Sequence, residues 1–341
     1  MTRRLLFATQ VVDPSDPVLG ATVAKLQALA ERVDELVVLA DRAVEGALPE
    51  NCRVHVFGSP SQAGRVRLFL SALERELSPR PLAFVAHMVP RYVLLGAPLA
   101  RPRRVPVLLW FTHWKRSRTL VVAERLSTAI LSVDRRSFPV PSGKVAAIGH
   151  GIDTAAFAYV ERPASSPLRA VALGRTSPAK GYETIAQATR LAGVEFEVRG
   201  TSGTAEERGE RDRLRELGVQ VLDPVPYTEV PALLAGRDVL VNNMREGALD
   251  KIVYEAASTG MPVLASNSGF DDLLPPELRF GREDAAGLAD RLRQLAGVDR
   301  NALGLELRRV VEARHSAGHW ADGLLAAAEP GPRAVERRSG E

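Results

Sequence analysis

Short apolar runs without polar alternation recur along this chain and are separated by amphipathic segments. The first is Leu5–Val11, and later examples are Val107–Phe111 and Val263–Ser266. Strands that are apolar on both sides are typical of parallel sheets whose two faces are covered by helices. Because segments with helical spacing, such as Ala21–Arg32, stand between the strands, the pattern predicts an α/β fold.

The strand and helix pattern starts again after a polar segment rich in proline and serine at residues 161–167. With 341 residues, the chain is long enough for about two domains. We therefore predict two Rossmann-like, doubly wound domains, 1–155 and 156–316, with the natural ligand site in a cleft between them. The last residues, 330–341, are polar and are expected to be disordered.

Composition excludes several classes of protein. The chain is 45% hydrophobic and 25% charged, which excludes a wholly disordered chain. Its formal net charge of +4 is too small to predict a nucleic-acid partner. The single cysteine, Cys52, cannot form an internal disulfide, so nothing indicates an oxidising compartment. Because the apolar runs are far shorter than the ~20 residues of a membrane-spanning helix, we expect a cytoplasmic protein.

A search for catalytic motifs excludes several kinds of site. The sequence has no G-x-G-x-x-G after a strand, no Walker A motif and no G-x-S-x-G elbow. It also has no D-x-D pair to hold a metal ion on a diphosphate. His315 and His319 have the spacing of two zinc ligands on one helix face, but no third ligand is evident. We therefore predict surface histidines and no metal site.

Several segments of the second half carry a specific resemblance. Residues 173–181 (LGRTSPAKG) are similar to the G-R-x4-K-G segment of the retaining GT-B glycosyltransferases of family 4. Residues 246–256 (EGALDKIVYEA) resemble the second-glutamate helix of that family, and 150–157 resemble its interdomain segment. The first half is similar more weakly, at 16–20 (DPVLG) and 111–113 (FTH).

The resemblance implies a fold and an activity. Family members have the GT-B arrangement of two Rossmann-like domains, and a last helix, here residues 317–329, crosses back onto the first domain. They transfer a sugar from a nucleotide-diphosphate sugar with retention at the anomeric carbon. We expect a UDP- or GDP-sugar as donor, no cofactor and no essential metal. A cell-envelope polysaccharide, a glycolipid or a secondary metabolite is the expected acceptor.

Three residues are the expected catalytic residues. Sugar transfer leaves negative charge on the departing diphosphate, and without a metal fixed cations must stabilise it. The resemblance assigns this role to Arg175 and Lys180, and Lys180 is one of only five lysines in the chain. His113 follows a predicted strand, where sites of α/β proteins gather. The resemblance implies that it contacts the donor sugar.

Further residues are implied in donor binding. Glu255 lies in a predicted helix, and the equivalent carboxylate of the family accepts hydrogen bonds from the ribose hydroxyls. Gly20 would let the backbone approach the diphosphate. Tyr227 occupies the usual region of the nucleobase, and Lys251 would add a cation.

One part of the pattern departs from the family. The first motif glutamate of the family falls on Gly247 here, and Glu246 stands one residue too early. Either a one-residue insertion aims Glu246 at the donor sugar, or its role is lost. This chain has Leu249, Asp250 and Lys251 where family members usually have Phe-Gly ahead of the helix, beside the expected sugar hydroxyls. The alternatives are therefore a catalytically inactive nucleotide-sugar-binding protein or a GT-B epimerase or phosphorylase, although no pyridoxal-phosphate motif is found.

A basic segment marks the expected acceptor side. Residues 89–118 carry seven arginines and lysines and no acidic residue, with Tyr92, Trp110 and Trp114 interleaved. Since the first domain of the family receives the acceptor, this segment is expected to bind a saccharide or lipid-linked acceptor, or to contact an anionic membrane surface from the cytoplasmic side. A solvated positive face is the alternative.

Overall fold

The computed structural model of this chain describes residues 2–163 and 167–329. Two parallel β-sheets, each covered by helices, follow one another along the chain. The predicted fold class, two Rossmann-like units with parallel sheets, is confirmed. Residues 164–166 of the predicted linker and 330–341 of the predicted tail lie outside the described residues.

The first sheet is built from the first half of the chain. Its seven strands are β1 (Arg4–Val12), β2 (Glu35–Ala43), β3 (Cys52–Val56), β4 (Phe84–His87), β5 (Val107–Trp110), β6 (Ala129–Ser132) and β7 (Val145–Ala147). Their spatial order is β3-β2-β1-β4-β5-β6-β7. The chain order reverses direction between β1 and β4, where Phe7 pairs with Val85.

The second sheet has five strands. They are β8 (Arg169–Leu173), β9 (Glu195–Arg199), β10 (Gln220–Leu222), β11 (Val239–Asn242) and β12 (Val263–Ala265), in the spatial order β10-β9-β8-β11-β12. The reversal here lies between β8 and β11. Crevices outside the carboxyl ends of strands at such reversals are where doubly wound sheets bind ligands. Two such crevices, one from each sheet, therefore define the region to search for a site.

Helices cover the faces of both sheets. In chain order the described α-helices are α1 (Ala21–Ala30), α2 (Gln62–Glu76), α3 (Pro90–Ala100), α4 (Arg118–Leu126), α5 (Tyr182–Ala192), α6 (Ala205–Glu216), α7 (Val230–Ala235), α8 (Lys251–Ser258), α9 (Ala285–Ala296), α10 (Arg300–Arg314) and α11 (Ala317–Ala328). The central strands β1, β4 and β5 are almost wholly buried. This burial explains why apolar runs without alternation mark them in the sequence.

Helices α3 and α4 are the elements that the sequence did not predict. The segment 89–118 was interpreted only as a basic stretch around a strand. Pro90 begins α3, where a missing N–H costs nothing, but Pro98 lies inside the helix and weakens its sequence signal. Tertiary packing decides the outcome, because Gly96 lets α3 approach the Phe84 ring so closely that a Cβ would lie 2.3 Å from it.

The chain passes between the two sheets at two adjacent segments. Ile152 donates its N–H to the His315 carbonyl at 2.7 Å, and Ala317 donates to the Ile152 carbonyl at 2.7 Å. After this crossing, α11 packs on α1 of the first half, and the buried Trp320 ring lies edge-on to Trp110 with ring centroids 5.6 Å apart. The last helix is thus held by the core of the first sheet.

Among residues 2–163 and 167–329, no helix combines the length and the apolar character that crossing a membrane requires.

Candidate active site

A cavity of about 320 Å³ opens between the carboxyl edges of the two sheets. It lies where both topological reversals place a crevice, and loops from both halves line it. The sequence-predicted residues that line it are His113, Arg175, Lys180, Tyr227, Asp250, Lys251 and Glu255. Most of the predicted site thus converges on one cavity, although the chain separates its members by up to half its length.

The two cations predicted to hold the diphosphate line the cavity. Arg175 follows β8, and its side chain is 65% exposed and lies 3.3 Å from Glu207 Oε1. Lys180 is the last residue of the short helical turn that follows Arg175, and its side chain is only 14% exposed. An exposed guanidinium can turn onto an anionic ligand at little cost, while the covered ammonium is fixed.

The Lys180 ammonium already has a counterion. Its Nζ donates to Asp250 Oδ2 at 2.6 Å, and the same oxygen accepts from Asn242 Nδ2 at 2.7 Å. Asn242 is the last residue of β11, and Asp250 directly precedes α8. A carboxylate therefore sits beside the cation that the sequence assigned to a diphosphate.

A buried carboxylate also lines the cavity. Glu255 on α8 is 1% exposed, and its Oε1 accepts from the Tyr227 hydroxyl at 2.6 Å and from Lys251 Nζ at 2.5 Å. Burial and the Glu255 charge raise the pKa of Tyr227 far above its usual value, so that Tyr227 stays a neutral donor. The second oxygen, Oε2, has no hydrogen-bond donor within the described ranges, which leaves it available to a ligand hydroxyl.

His113 is held in one tautomer at the cavity wall. Its Nδ1 accepts the backbone N–H of Lys115 at 2.9 Å, so the neutral ring carries its proton on Nε2. Burial, then the charges of Arg175 and Lys115, lower the pKa of His113 below its usual value. The ring stacks on Trp114 with an interplanar angle of 21°. At neutral pH the cavity therefore holds an uncharged imidazole with one N–H to donate.

Gly20 lies behind the cavity wall rather than in it. A Cβ at this position would lie 2.7 Å from Tyr227 Cβ and 2.8 Å from the Asp16 carbonyl oxygen. The neighbouring Ser15 carbonyl accepts the Tyr227 N–H at 3.1 Å. The glycine therefore allows the loop after β1 to touch the second half at Tyr227, and it is not among the residues that line the cavity.

The structure places Glu246 and Gly247 outside the cavity lining. The Glu246 carboxylate accepts the Ser268 N–H at 2.9 Å and the Ser268 hydroxyl at 2.8 Å, which fixes it to a turn on the surface. Gly247 has a φ of +79°, in the left-handed region, where a glutamate would be strained. The structure thus does not place Glu246 in the lining of the cavity, which argues against the alternative that an insertion aims it at a bound sugar.

Several lining residues were not predicted. Arg199 is the last residue of β9, Gly200 and Thr201 follow it, and Trp114 follows His113 after β5. The Arg245 guanidinium lies over the Trp114 ring, 4.8 Å from its centroid. The rule that carboxyl ends of parallel strands meet at one edge would have found the residues after β9.

The histidine pair does not form a site. His315 ends α10 and is buried, with its ring centroid 4.3 Å from that of Tyr254, whereas His319 lies exposed on α11. The prediction of two surface histidines is therefore wrong for His315, because the packing of α10 on α8 encloses it. In the part of the chain that the structure describes, no group of three or more His, Cys, Asp or Glu side chains is placed to hold a metal ion.

Comparison with known proteins gives one match in sequence and many in structure. Residues 175–326 match the model of a family described as glycosyl transferase-like. No curated protein sequence matches the chain.

Solved structures match nearly the whole length. A sucrose-phosphate synthase from Thermosynechococcus elongatus has a TM-score of 0.74 at 16% identity, over 94% of this chain and 97% of that chain. HepE of Anabaena, solved with UDP and glucose, has a TM-score of 0.74 at 15% identity, over 94% and 98%. A UDP-GlcNAc 2-epimerase from Methanocaldococcus jannaschii scores 0.55 at 13% identity, over 92% and 99%.

These matches assign the architecture. The 7-stranded and 5-stranded parallel sheets are those of the GT-B fold. The matched family model covers the half of the chain that contributes Arg175, Lys180 and Glu255 to the cavity. The fold is thus that of the GT-B structures, and residues 175–326 are similar to a glycosyl transferase-like family.

Proposed function

We propose that this protein is a retaining GT-B glycosyltransferase of family 4, which transfers a sugar from a nucleotide-diphosphate sugar without an essential metal. The observation that carries the proposal is the pairing, in one cavity, of two cations with a buried carboxylate that keeps one oxygen unused. Arg175 and Lys180 suit a diphosphate, and Glu255 suits the two hydroxyls of a ribose.

Each residue has a part in the proposed reaction. Arg175 and Lys180 hold the diphosphate and stabilise the charge that it gains when the bond to the sugar breaks. Glu255 orients the nucleoside, and Tyr227 and Lys251 orient Glu255. His113, uncharged and with Nε2–H free to donate, contacts the sugar side of the ligand. Retention at the anomeric carbon rests on the family resemblance.

The first test is ligand binding in EDTA. UDP, GDP, ADP, dTDP and their common sugar conjugates are titrated by calorimetry into the wild type, Lys180→Ala and the control Lys144→Ala. Lys144 is bound to main-chain carbonyls at the end of α4, away from the cavity. We expect one nucleotide to bind, with a UDP- or GDP-sugar as the donor. Loss of a charge-assisted hydrogen bond, about 1.5–3 kcal/mol, should weaken binding to Lys180→Ala roughly 10- to 100-fold. Lys144→Ala should bind as the wild type does.

The outcome separates the alternatives. No binding across the panel would contradict the proposal. Binding followed by a new glycoside with the donor's anomeric configuration, seen by NMR, would support it. A product epimerised in its sugar would instead favour an epimerase, a fold relative among the matched structures. Binding without any turnover over a broad acceptor panel would favour an inactive nucleotide-sugar-binding protein.

For the acceptor side we propose peripheral contact with an anionic membrane that presents a saccharide or lipid-linked acceptor. Arg91 at the start of α3 and Lys115, Arg116 and Arg118 at the start of α4 are all exposed, and the two helices pack together. Val122 on α4 is 43% exposed beside them. The helix starts lie at the carboxyl edge of the sheet, the same edge as the cavity. Membrane contact there would bring an acceptor to the donor.

Vesicle sedimentation tests this contact. The wild type is expected to sediment with vesicles of phosphatidylglycerol and not with phosphatidylcholine, and Arg91→Glu/Arg116→Glu to lose most of the binding. Each basic residue near such a surface contributes about 1 kcal/mol. The control pair Arg208→Glu/Arg215→Glu removes two exposed arginines from α6 of the second half and should leave binding unchanged. Equal sedimentation of both double variants would contradict membrane contact through this face.

A further inference from the structure

Asp250 has an unusual place at the start of α8. It is the residue before the helix, where an aspartate normally accepts a hydrogen bond from the first turn, and such a cap stabilises a helix by about 1 kcal/mol. Here the side chain makes no cap bond. It turns into the cavity instead, where Oδ2 accepts from Lys180 and Asn242. Asp250 thus contacts Lys180 and Asn242 in the cavity instead of capping the helix.

The other acidic groups nearby cannot do what Asp250 can. Glu255 is held by Tyr227 and Lys251. Glu207 accepts from Arg175 with one oxygen and from two backbone N–H groups with the other, and it is not among the residues that line the cavity. Glu246 is held by Ser268 outside the cavity. Asp250 Oδ1 has no donor among the residues that the structure describes, so it can accept a hydrogen bond from a ligand. It is therefore the carboxylate beside the diphosphate cations that is free to contact what the diphosphate carries.

We propose that Asp250 is a specificity residue that makes the cavity prefer a sugar-linked diphosphate to a bare nucleoside diphosphate. This inference rests on the proposed function. The terminal phosphate of a nucleoside diphosphate is a monoester with up to two charges at neutral pH, whereas the sugar-linked phosphate is a diester with one. A carboxylate 2.6 Å from Lys180 repels the bare phosphate more strongly.

The sugar adds a second difference. A hydroxyl of a linked sugar can donate a hydrogen bond to Asp250, and the fully ionised terminal phosphate of the product has no proton to donate. Both effects favour the donor over the product of the reaction, and both act through the same side chain. Asp250 thereby also hastens the departure of the nucleoside diphosphate after transfer.

The test compares two ligands on matched variants. UDP with UDP-glucose, and GDP with GDP-mannose, are titrated into the wild type, Asp250→Asn and the control Asp271→Asn. Asp271 is a surface carboxylate paired with Arg279 at 2.7 Å, outside the cavity lining. We expect Asp250→Asn to bind the bare diphosphate at least 3-fold more tightly, and the preference for the sugar-linked ligand to fall about 10-fold. Asp271→Asn should keep the wild-type preference.

The pH dependence gives a readout that a purely structural role would not move. Between pH 6 and pH 8 the terminal phosphate gains its second charge, which Asp250 repels. The factor by which the wild type exceeds Asp250→Asn in its preference for the sugar-linked ligand should therefore be larger at pH 8 than at pH 6. An unchanged preference in Asp250→Asn, or weaker binding of the bare diphosphate, would overturn the inference. If the wild type binds no nucleotide at all, the proposed function fails with it, and the two failures are distinguished.

Discussion

Lys25→Met is expected to raise the free energy of unfolding at pH 7 by roughly 3–4 kcal/mol. Lys25 is 3% exposed on α1, and within the described residues its ammonium has no hydrogen-bond or ion-pair partner. Its Nζ lies 5.9 Å from the centroid of the Trp320 ring, a weak compensation. Burial, and then the charge of Lys251, lower the pKa of Lys25 from 10.5 to about 7. Methionine has nearly the same shape and needs no proton.

The pH dependence follows from the direction of this shift. Between pH 7 and 10.5 the unfolded chain holds the Lys25 proton and the folded chain does not, so this residue makes stability rise with pH. Below pH 7 both states are protonated and the full cost of the buried charge is present. The gain from Lys25→Met should therefore be largest at pH 7 and below, and should shrink toward pH 10.

Urea denaturation at several pH values measures this gain. Lys115→Met is the matched control, because Lys115 is exposed, and its unfolding free energy should stay within about 0.5 kcal/mol of the wild type. A Lys25→Met variant that is no more stable than the wild type at pH 7 would show that the ammonium finds a partner. The charges of Lys251 and Glu255, which line the cavity, act on Lys25. This destabilising buried lysine therefore lies next to the candidate site.

Glu255→Gln is expected to weaken nucleotide binding at least 100-fold. A carboxylate can accept hydrogen bonds from both ribose hydroxyls, and each bond to a charged acceptor is worth about 1.5–3 kcal/mol. The glutamine amide would keep its oxygen toward Lys251 and Tyr227, which now donate to Oε1, and would place N–H donors where the ligand hydroxyls need an acceptor. Calorimetric titration of the nucleotide that the wild type binds measures the loss.

The matched control for this variant is Glu246→Gln. It makes the same chemical change at a carboxylate that Ser268 holds outside the cavity. Its nucleotide affinity should stay within 2-fold of the wild type. If both variants bind nucleotide equally well, Glu255 is not the ribose acceptor, and the helix α8 has another role.

The elements of the fold that can be predicted from the sequence are those whose residues are buried on both sides. Strands such as β1 and β5 are buried on both sides, so their apolar runs identify them without any knowledge of their neighbours. Helix α3 cannot be identified from its own residues, because Pro98 and Gly96 weaken the helical pattern of its sequence. Its stability comes from contact with Phe84, which no local pattern reports.

The site divides in the same way. The position of Arg175 and Lys180 after a strand predicts that both reach one cleft, whereas Glu255 is implied there only by the family resemblance. The hydrogen-bond partners of the site residues could not be predicted from the sequence, because such pairs depend on the directions in which the side chains point. Lys180 and Asp250 are 70 residues apart in the chain, and Glu246 and Ser268 are 22 apart. Burial of His315 likewise depends on how α10 packs, and not on the residues beside it.

The paired crossing between the two sheets limits how the halves can move. Because Ile152 is hydrogen-bonded to both His315 and Ala317, the two connections are fastened side by side and do not act as separate tethers. Two adjacent attachments permit one half to bend relative to the other about the line through them, but they resist twisting and sliding of the two halves. The cavity is therefore expected to open mainly by a rocking of one half against the other. Such a rocking would change the distance between His113 and Arg175, which line the cavity from opposite halves.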